Sequence, residues 1–121
     1  MLFEVPIETP SLTNLREHPM RRSSRAKRQR RDVYYCWRVQ PDRPKEELRA
    51  RVKAGGRVMV MLVRCAPRPL DTDNLTSALK HVRDEVAARL DVDDADQRVD
   101  WRYGQAVRRV PVVLVHMEPL G

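Results

Sequence analysis

The sequence predicts an α+β fold in which two main helices pack on a small mixed β-sheet. Apolar runs rich in valine and methionine, at 57–65 and 110–117, are typical of strands. Residues 20–39 and 74–90 contain neither glycine nor proline and are typical of helices. A length of 121 residues fits one domain, so residues 1–121 are expected to share a single modest core.

Glycine and proline set most of the expected boundaries, because neither continues a helix or a central strand readily. The glycines and prolines that separate the predicted central elements occupy positions 41, 44, 55, 56, 67 and 69. In chain order we expect a strand at Phe3–Ile7, a helix from Pro19 or Met20 to about Val39, a short helix at Lys45–Lys53, a strand at Arg57–Cys65, a helix from Asn74 to about Leu90, and strands at Val99–Tyr103 and Val110–Met117.

The helix at 74–90 has the clearest pattern. At 100° per residue its apolar residues form one stripe about 80° wide, and they are Leu75, Leu79, Val82, Val86 and Leu90. Asp73, Lys80 and Asp84 align on the opposite side by the same rule. An ordinary amphipathic helix, capped by Asp73 and carrying a surface Lys80–Asp84 ion pair, explains this pattern equally well.

Positive charge is concentrated in one segment. The chain has 24 Lys and Arg against 17 Asp and Glu, a formal charge of +7. Eight of the basic residues and a single acid lie within 16–31, so that segment accounts for the whole excess. Such a run attracts polyanions by neutralising phosphates and releasing counterions. A solvated helix face is the alternative. Tyr34, Tyr35 and Trp37 follow, and we expect them to anchor this helix to the core.

The charge balance reverses between residues 71 and 100, where nine acids face four bases. Carboxylates repel phosphate, so this excess needs a separate explanation, and a divalent metal supplies one. In strand geometry Asp71 and Asp73 project to the same side and reach one cation. Asp93 or Asp94 can supply a third hard oxygen ligand of the kind Mg²⁺ prefers, provided that the chain doubles back after Leu90. Lys80 would neutralise charge that develops in a transition state.

Several classes of protein are excluded. No stretch approaches the roughly 18 apolar residues of a membrane span, and the first ten residues lack the basic-then-apolar order of a secretion signal. Cys36 and Cys65 make neither a disulfide framework nor a zinc motif, so a reducing, cytoplasmic location is expected. The segment DVDDADQRVDWR from residue 91 lacks the central glycine and terminal glutamate of an EF-hand.

Several motifs together resemble the RusA-type Holliday-junction resolvases and their phage relatives. They are LDTDNL at 70–75, Lys80, Arg83-Asp84, Val92-Asp93-Asp94, Trp101-x-Tyr103-x-Gln105, and an N-terminal Thr9-Pro10-Ser11 followed by Asn14, Arg16, His18 and a basic helix. The resemblance covers nearly the whole chain, and its most specific part is D-x-D-N-L followed about twenty residues later by D-D. It implies a small homodimeric, Mg²⁺-dependent endonuclease that cuts two opposed strands of a four-way DNA junction.

The resemblance also implies roles for individual residues. Asp71 and Asp73 correspond to paired metal ligands and Asp94 to the third catalytic aspartate, with Asp93 as an alternative. The family's lysine, four residues after the second aspartate, is replaced here by Ser77, and Lys80 is expected to take over its role. Mg²⁺ is the implied cofactor, with Mn²⁺ as a substitute. The implied location is the cytoplasm of a bacterium or a phage-infected host. The expected DNA contacts are Asn14, Arg16, His18, Arg21, Arg22, Arg25, Lys27 and Arg28.

Two other functions remain open at this point. In a non-catalytic nucleic-acid-binding protein the acids would only cap helices and solvate the surface, and Ser77 favours this alternative slightly. A basic module that binds an acidic protein would attract DNA and acidic peptides equally. A metal requirement for strand cleavage distinguishes the nuclease from both.

Overall fold

A computed structural model describes residues 1–11 and 18–121, and in these residues it contains four strands and four helices. Their order is β1 (Leu2–Val5), α1 (Pro19–Arg38), α2 (Asp42–Lys53), β2 (Arg57–Ala66), α3 (Thr72–Ala78), α4 (Lys80–Arg89), β3 (Val99–Val107) and β4 (Val112–Leu120). The α+β class and the mixed sheet are confirmed. Among the described helices, none is both long and apolar enough to span a membrane.

The four strands form one sheet in the order β1-β4-β2-β3. β2 and β3 are parallel, whereas β4 runs antiparallel to both β1 and β2. The parallel pair is joined through α3 and α4, as a crossover connection requires. Both helices therefore belong to the connection between two neighbouring parallel strands.

The core lies between one face of this sheet and the helices. Val58, Val60 and Leu62 of β2 alternate with outward-pointing residues and are fully buried in a single apolar cluster. The apolar stripe predicted for 74–90 is buried in the same cluster. Trp37 anchors α1 there as expected, whereas Tyr35 is exposed. The crossover is therefore held against the sheet by the stripe that the sequence predicts.

The helix predicted at 74–90 is divided in two, so the expectation of two main helices is wrong. Leu79 has φ −96° and ψ 6°, which ends α3 before α4 begins at Lys80. Its amide still donates to the Leu75 carbonyl at 3.2 Å, and its carbonyl accepts from Arg83 at 2.9 Å. The interruption is local, and Leu79 itself is fully buried in the core.

Other boundaries shift by a few residues. α2 begins at Asp42 rather than Lys45, because a proline such as Pro44 is tolerated in the first turn of a helix. β3 continues to Val107, beyond the predicted end at Tyr103, since it pairs with β2 along its whole length. β1 is Leu2–Val5, one residue earlier at its start than expected.

The opposite face of the sheet combines apolar residues of β2 and β4 with polar and charged ones, namely Glu4, Asp100, Arg102, His116 and Glu118. Met61 and Val63 of β2, together with Leu114 of β4, point to this side and are half-buried. They are not members of the core cluster that the described residues form. Leu2 of β1 is 64% exposed at the edge of this face. We call this surface the open face.

Candidate functional site

The first acidic turn lies at the start of α3. Asp71 is the N-cap of this helix, and its Oδ1 accepts a hydrogen bond from the amide of Asn74 at 3.0 Å. Asp73 is exposed in the first helical turn, where a negative charge is favoured by the helix dipole. The predicted strand geometry for this pair is wrong, because the helix begins at Thr72 and not at Asn74. The two carboxylates are grouped by a helix start instead.

The loop before Asp71 is held by two neighbouring side chains of the sheet. The side chain of Gln105 accepts from the amide of Leu70 at 2.9 Å and donates to its carbonyl at 2.6 Å. Arg64, the cross-strand partner of Gln105, donates to the carbonyl of Arg68 at 2.9 Å. The backbone just before Asp71 is therefore fixed by three hydrogen bonds from β2 and β3.

The second acidic turn, residues 91–97, is connected to β3 by Arg83 of α4. This guanidinium donates to the Asp94 carbonyl oxygen at 2.6 Å, and its Nε lies 4.0 Å from the Asp94 carboxylate. It also donates to the Tyr103 hydroxyl at 2.9 Å and stacks 4.7 Å from the centre of the Trp101 ring. The chain thus folds back onto α4 after Leu90, but no contact among the described residues joins Asp94 to Asp71 or Asp73, as the predicted metal site requires.

Neighbouring acids in this turn have different surroundings. The exposed Asp93 carboxylate accepts from the amide of Ala95 at 2.9 Å, and this bond, together with one to Asp94, lowers the pKa of Asp93. The carboxylate of Asp96 binds Arg98 at 2.6 Å, and hydrogen bonds from Arg98 lower the pKa of Asp96 to about 2. Asp94 is the member of this turn whose backbone and side chain both face Arg83.

Lys80 is the first residue of α4 and follows the break at Leu79. Its side chain is exposed and forms no hydrogen bond or ion pair with any residue in the described part of the chain. The i,i+4 ion pair with Asp84 that the sequence allowed is therefore absent between these two described residues. Because the helix is interrupted, the angular alignment of Asp73 with Lys80 that a continuous helix predicts does not apply.

The two acidic turns are tied to adjacent positions of the same strand. The first is bound by Gln105 and the second, through Arg83, by Tyr103. Residues two apart on a strand point to the same face and lie about 7 Å apart. Within 1–11 and 18–121, however, no three His, Cys, Asp or Glu side chains are grouped as a complete metal site. The structure therefore attaches both turns to β3, but it does not bring three carboxylates together as one metal site.

The donor chemistry of these turns fits Mg²⁺. This ion is usually bound by one or two carboxylates, with waters and substrate phosphates completing its octahedron. Asp73 forms no side-chain hydrogen bond or ion pair with another described residue, and the helix cap engages Oδ1 of Asp71. Two hard oxygen donors beside a docked phosphate meet that requirement without a closed protein cage.

The basic surface is formed by the first half of α1. Arg21, Arg22, Lys27 and Arg28 are exposed, and their side chains contact no acid of the described chain. Arg25 is half-buried. His18 caps α1, accepting the amide of Met20 on Nδ1 at 3.1 Å. The expected DNA contacts Asn14 and Arg16 lie outside the described residues.

α1 packs along α4, with charged groups in the seam between them. Glu85 of α4 is buried and lies 3.2 Å from Arg30 and 3.0 Å from Arg89. Nearer the start of α4, half-buried His81 lies beside Arg25 and Arg30 of α1. The basic half of α1 is therefore next to the end of α4 that carries Lys80.

The seam makes the stability of the fold depend on pH through His81. Burial lowers the pKa of His81 below 6.5, and Lys80, Arg30 and Arg25 lower it further against the opposing effect of Asp84. The unfolded chain therefore binds a proton at higher pH than the folded chain. We expect the free energy of unfolding to fall as the pH drops below 6.5, until folded His81 is itself protonated. Urea denaturation of wild type and His81→Gln between pH 7.5 and 5 measures this free energy. The free energy of unfolding of the variant should decline less steeply with falling pH than that of wild type. Equal slopes would contradict the prediction.

Three residues of this site were given no role by the sequence. Arg64 is buried on the core-facing side of β2, where Val58, Val60 and Leu62 are apolar. A charged residue at such a position is a sign of a specific role that the sequence alone could have given. Arg83 and Gln105 belong to motifs that the resemblance contains, but their partners come from distant segments. Only the folded chain shows what these two residues bind.

Comparisons with known proteins give no family for this chain. No family model, no curated protein and no solved structure matches it.

Proposed function

We propose that this chain is a Mg²⁺-dependent, structure-selective endonuclease of the RusA type that resolves four-way DNA junctions by paired symmetric cuts, in the cytoplasm of a bacterium or a phage-infected host. The observation that carries the proposal is the attachment of two acidic turns to neighbouring residues of β3. Lys80 forms no ion pair with a described residue, and α1, whose first half is basic, packs against α4, the helix that Lys80 begins. These groups support the proposal because cleavage needs metal ligands and a cation for the phosphate, whereas binding alone needs only the basic helix.

Each group then has a chemical task. Asp71, Asp73 and Asp94 would hold Mg²⁺, which supplies polarisation of the scissile phosphodiester and orientation of the attacking water. Lys80 places its ammonium beside the phosphate and offsets negative charge in the transition state. The exposed cations of α1 bind the flanking phosphates and align the strand for the cut.

The direct test uses a synthetic four-way junction and a duplex of the same sequence. We expect junction cleavage with Mg²⁺ or Mn²⁺, no cleavage in EDTA, and little cleavage of the duplex. Paired cuts on opposed strands should appear as linear duplex products. Intact junction at saturating Mg²⁺ would reject the nuclease.

The second candidate function is a non-catalytic nucleic-acid-binding protein. The observation in its favour is that the described acids form no complete metal site. It predicts salt-sensitive junction binding that is the same in EDTA and in Mg²⁺, without strand cleavage. The cleavage experiment above therefore separates the two functions.

The open face offers a surface for the homodimer that paired cutting requires. A junction has two-fold symmetry, so two simultaneous cuts need two active sites. Sheets pack face to face through their apolar residues, about 10 Å apart. Leu114 and Met61 lie near the centre of the open face.

We expect Leu114→Glu to convert the dimer into a monomer, because two like charges would be buried at the interface. Light scattering during gel filtration measures the mass directly. Met20→Glu is the matched control, since Met20 is 73% exposed at the start of α1 and should leave the mass unchanged. A monomeric wild type, or a dimeric Leu114→Glu, would remove the open face from the proposal.

A further inference from the structure

Three polar-tipped side chains follow one another on the helix-covered face of β3, namely Trp101, Tyr103 and Gln105. They share a face because they are two residues apart, and Val60, Leu62 and Arg64 are their partners on β2. The mechanism above uses none of them. Their contacts are with the two acidic turns and with the arginine that holds one of them, so they are not explained by core packing alone.

Gln105 fixes the first turn. An amide side chain that both accepts from and donates to one residue sets the position and the orientation of that backbone unit. It does so for Leu70, at 2.9 and 2.6 Å, one residue before Asp71. Arg64 adds a bond to Arg68 at 2.9 Å, so the loop cannot slide along the strand without losing three hydrogen bonds.

Tyr103 fixes the second turn through Arg83. The guanidinium is planar, and Trp101 lies against one side of it. The Tyr103 hydroxyl accepts from Nη1 at 2.9 Å, which leaves Nη2 directed at the Asp94 carbonyl at 2.6 Å. The aromatic pair therefore determines where Arg83 holds the acidic turn.

We propose that Gln105 and Tyr103 are positioning residues that set the separation of the two acidic turns, and thereby the Mg²⁺ affinity of the nuclease site. This inference rests on the proposed function. A site whose carboxylates come from different turns binds its metal only as tightly as the turns are held together. Residues that orient metal ligands in this way typically change metal affinity by about 10- to 100-fold when they are replaced.

The test compares Gln105→Leu, which removes both bonds to Leu70, with Tyr103→Phe, which removes only the hydroxyl that Arg83 contacts. The control is Gln40→Leu, which also deletes a side-chain amide bond, to the carbonyl of Cys36, outside β3. Three quantities are measured: the Mg²⁺ concentration for half-maximal junction cleavage, the dissociation constant for Mn²⁺ without DNA by electron paramagnetic resonance, and the junction affinity in EDTA.

We expect both β3 variants to need about 10- to 100-fold more Mg²⁺ and to bind Mn²⁺ weaker by the same factor. Saturating metal should restore most of the cleavage, and junction affinity in EDTA should stay within about twofold of wild type. A merely structural role would not give this recovery at high metal. The control should match wild type in all three measurements.

The outcomes separate this inference from the proposed function. Active wild type with unchanged metal dependence in both β3 variants overturns the positioning role alone. Wild type that neither binds Mn²⁺ nor cleaves the junction overturns the nuclease and the positioning role together. Tyr103→Phe, which removes a single oxygen, decides the question should Gln105→Leu fail to fold.

Discussion

Asp73→Asn is expected to reduce Mg²⁺-dependent junction cleavage by on the order of 10²–10³-fold, the size of effect seen when one group that stabilises transition-state charge is removed. The exposed carboxylate in the first turn of α3 has no side-chain hydrogen-bond or ion-pair partner among the described residues, so a metal is the partner it can gain. Asparagine keeps the shape but loses the charge. The fold should survive, since the favourable interaction with the helix dipole is worth at most about 1 kcal/mol.

Junction affinity in EDTA and thermal stability are measured beside cleavage, so that a folding defect is not mistaken for a catalytic one. Asp42→Asn is the matched control. Asp42 is exposed in the first turn of α2, as Asp73 is in the first turn of α3, and it lies outside both acidic turns. The control substitution removes one negative charge from the same domain, as Asp73→Asn does. Equal cleavage by wild type and Asp73→Asn would reject the assignment of the first acidic turn.

Simultaneous replacement of the four unpaired cations in the first half of α1 by alanine should weaken junction binding by roughly 10²–10³-fold at 0.15 M salt. Each phosphate contact in a duplex contributes about 0.9 to the slope of log K against log salt, so the slope should fall by about 3 to 4. The changed residues are Arg21, Arg22, Lys27 and Arg28. A salt titration of junction affinity in EDTA measures both quantities without cleavage.

A control with the same loss of charge distinguishes a local surface from a general attraction to DNA. Four exposed cations outside α1 serve for this, namely Arg43, Lys53, Arg57 and Arg109. We expect their removal to lower the affinity much less, because distant exposed charges are screened beyond about 8–10 Å. An equal loss in the two quadruple variants would show that α1 is not the binding surface.

Most of the fold could be predicted because burial follows sequence period. The stripe from Leu75 to Leu90 is buried as the 3.6-residue period predicts, and every second residue from Val58 to Leu62 faces the core, as in a strand. The break at Leu79 could not be predicted, since leucine is a good helix former and carries no signal for a turn. Strand order was also beyond reach, because it depends on pairings between distant segments.

The candidate site was predictable in its residue types and less so in its geometry. The prediction of Asp73 as the helix cap is wrong, because Asp71 caps α3; the strand interpretation of Asp71 and Asp73 placed the helix start two residues too late. That the second acidic turn returns to β3 depends on Arg83, whose contacts with Asp94 and Tyr103 join segments 11 and 20 residues away. No local pattern encodes such contacts.

The placement of β1 at one edge of the sheet has a consequence for biosynthesis. β1 pairs only with β4 within the described sheet, so β1 cannot form its ladder until residues 112–120 have been made. Until residues 112–120 have been made, the backbone of β1 has no strand to pair with, and one edge of β2 is unpaired as well. The sheet is thus completed by pairing between distant segments, and a chain made only as far as residue 111 would expose unpaired strand edges that favour aggregation.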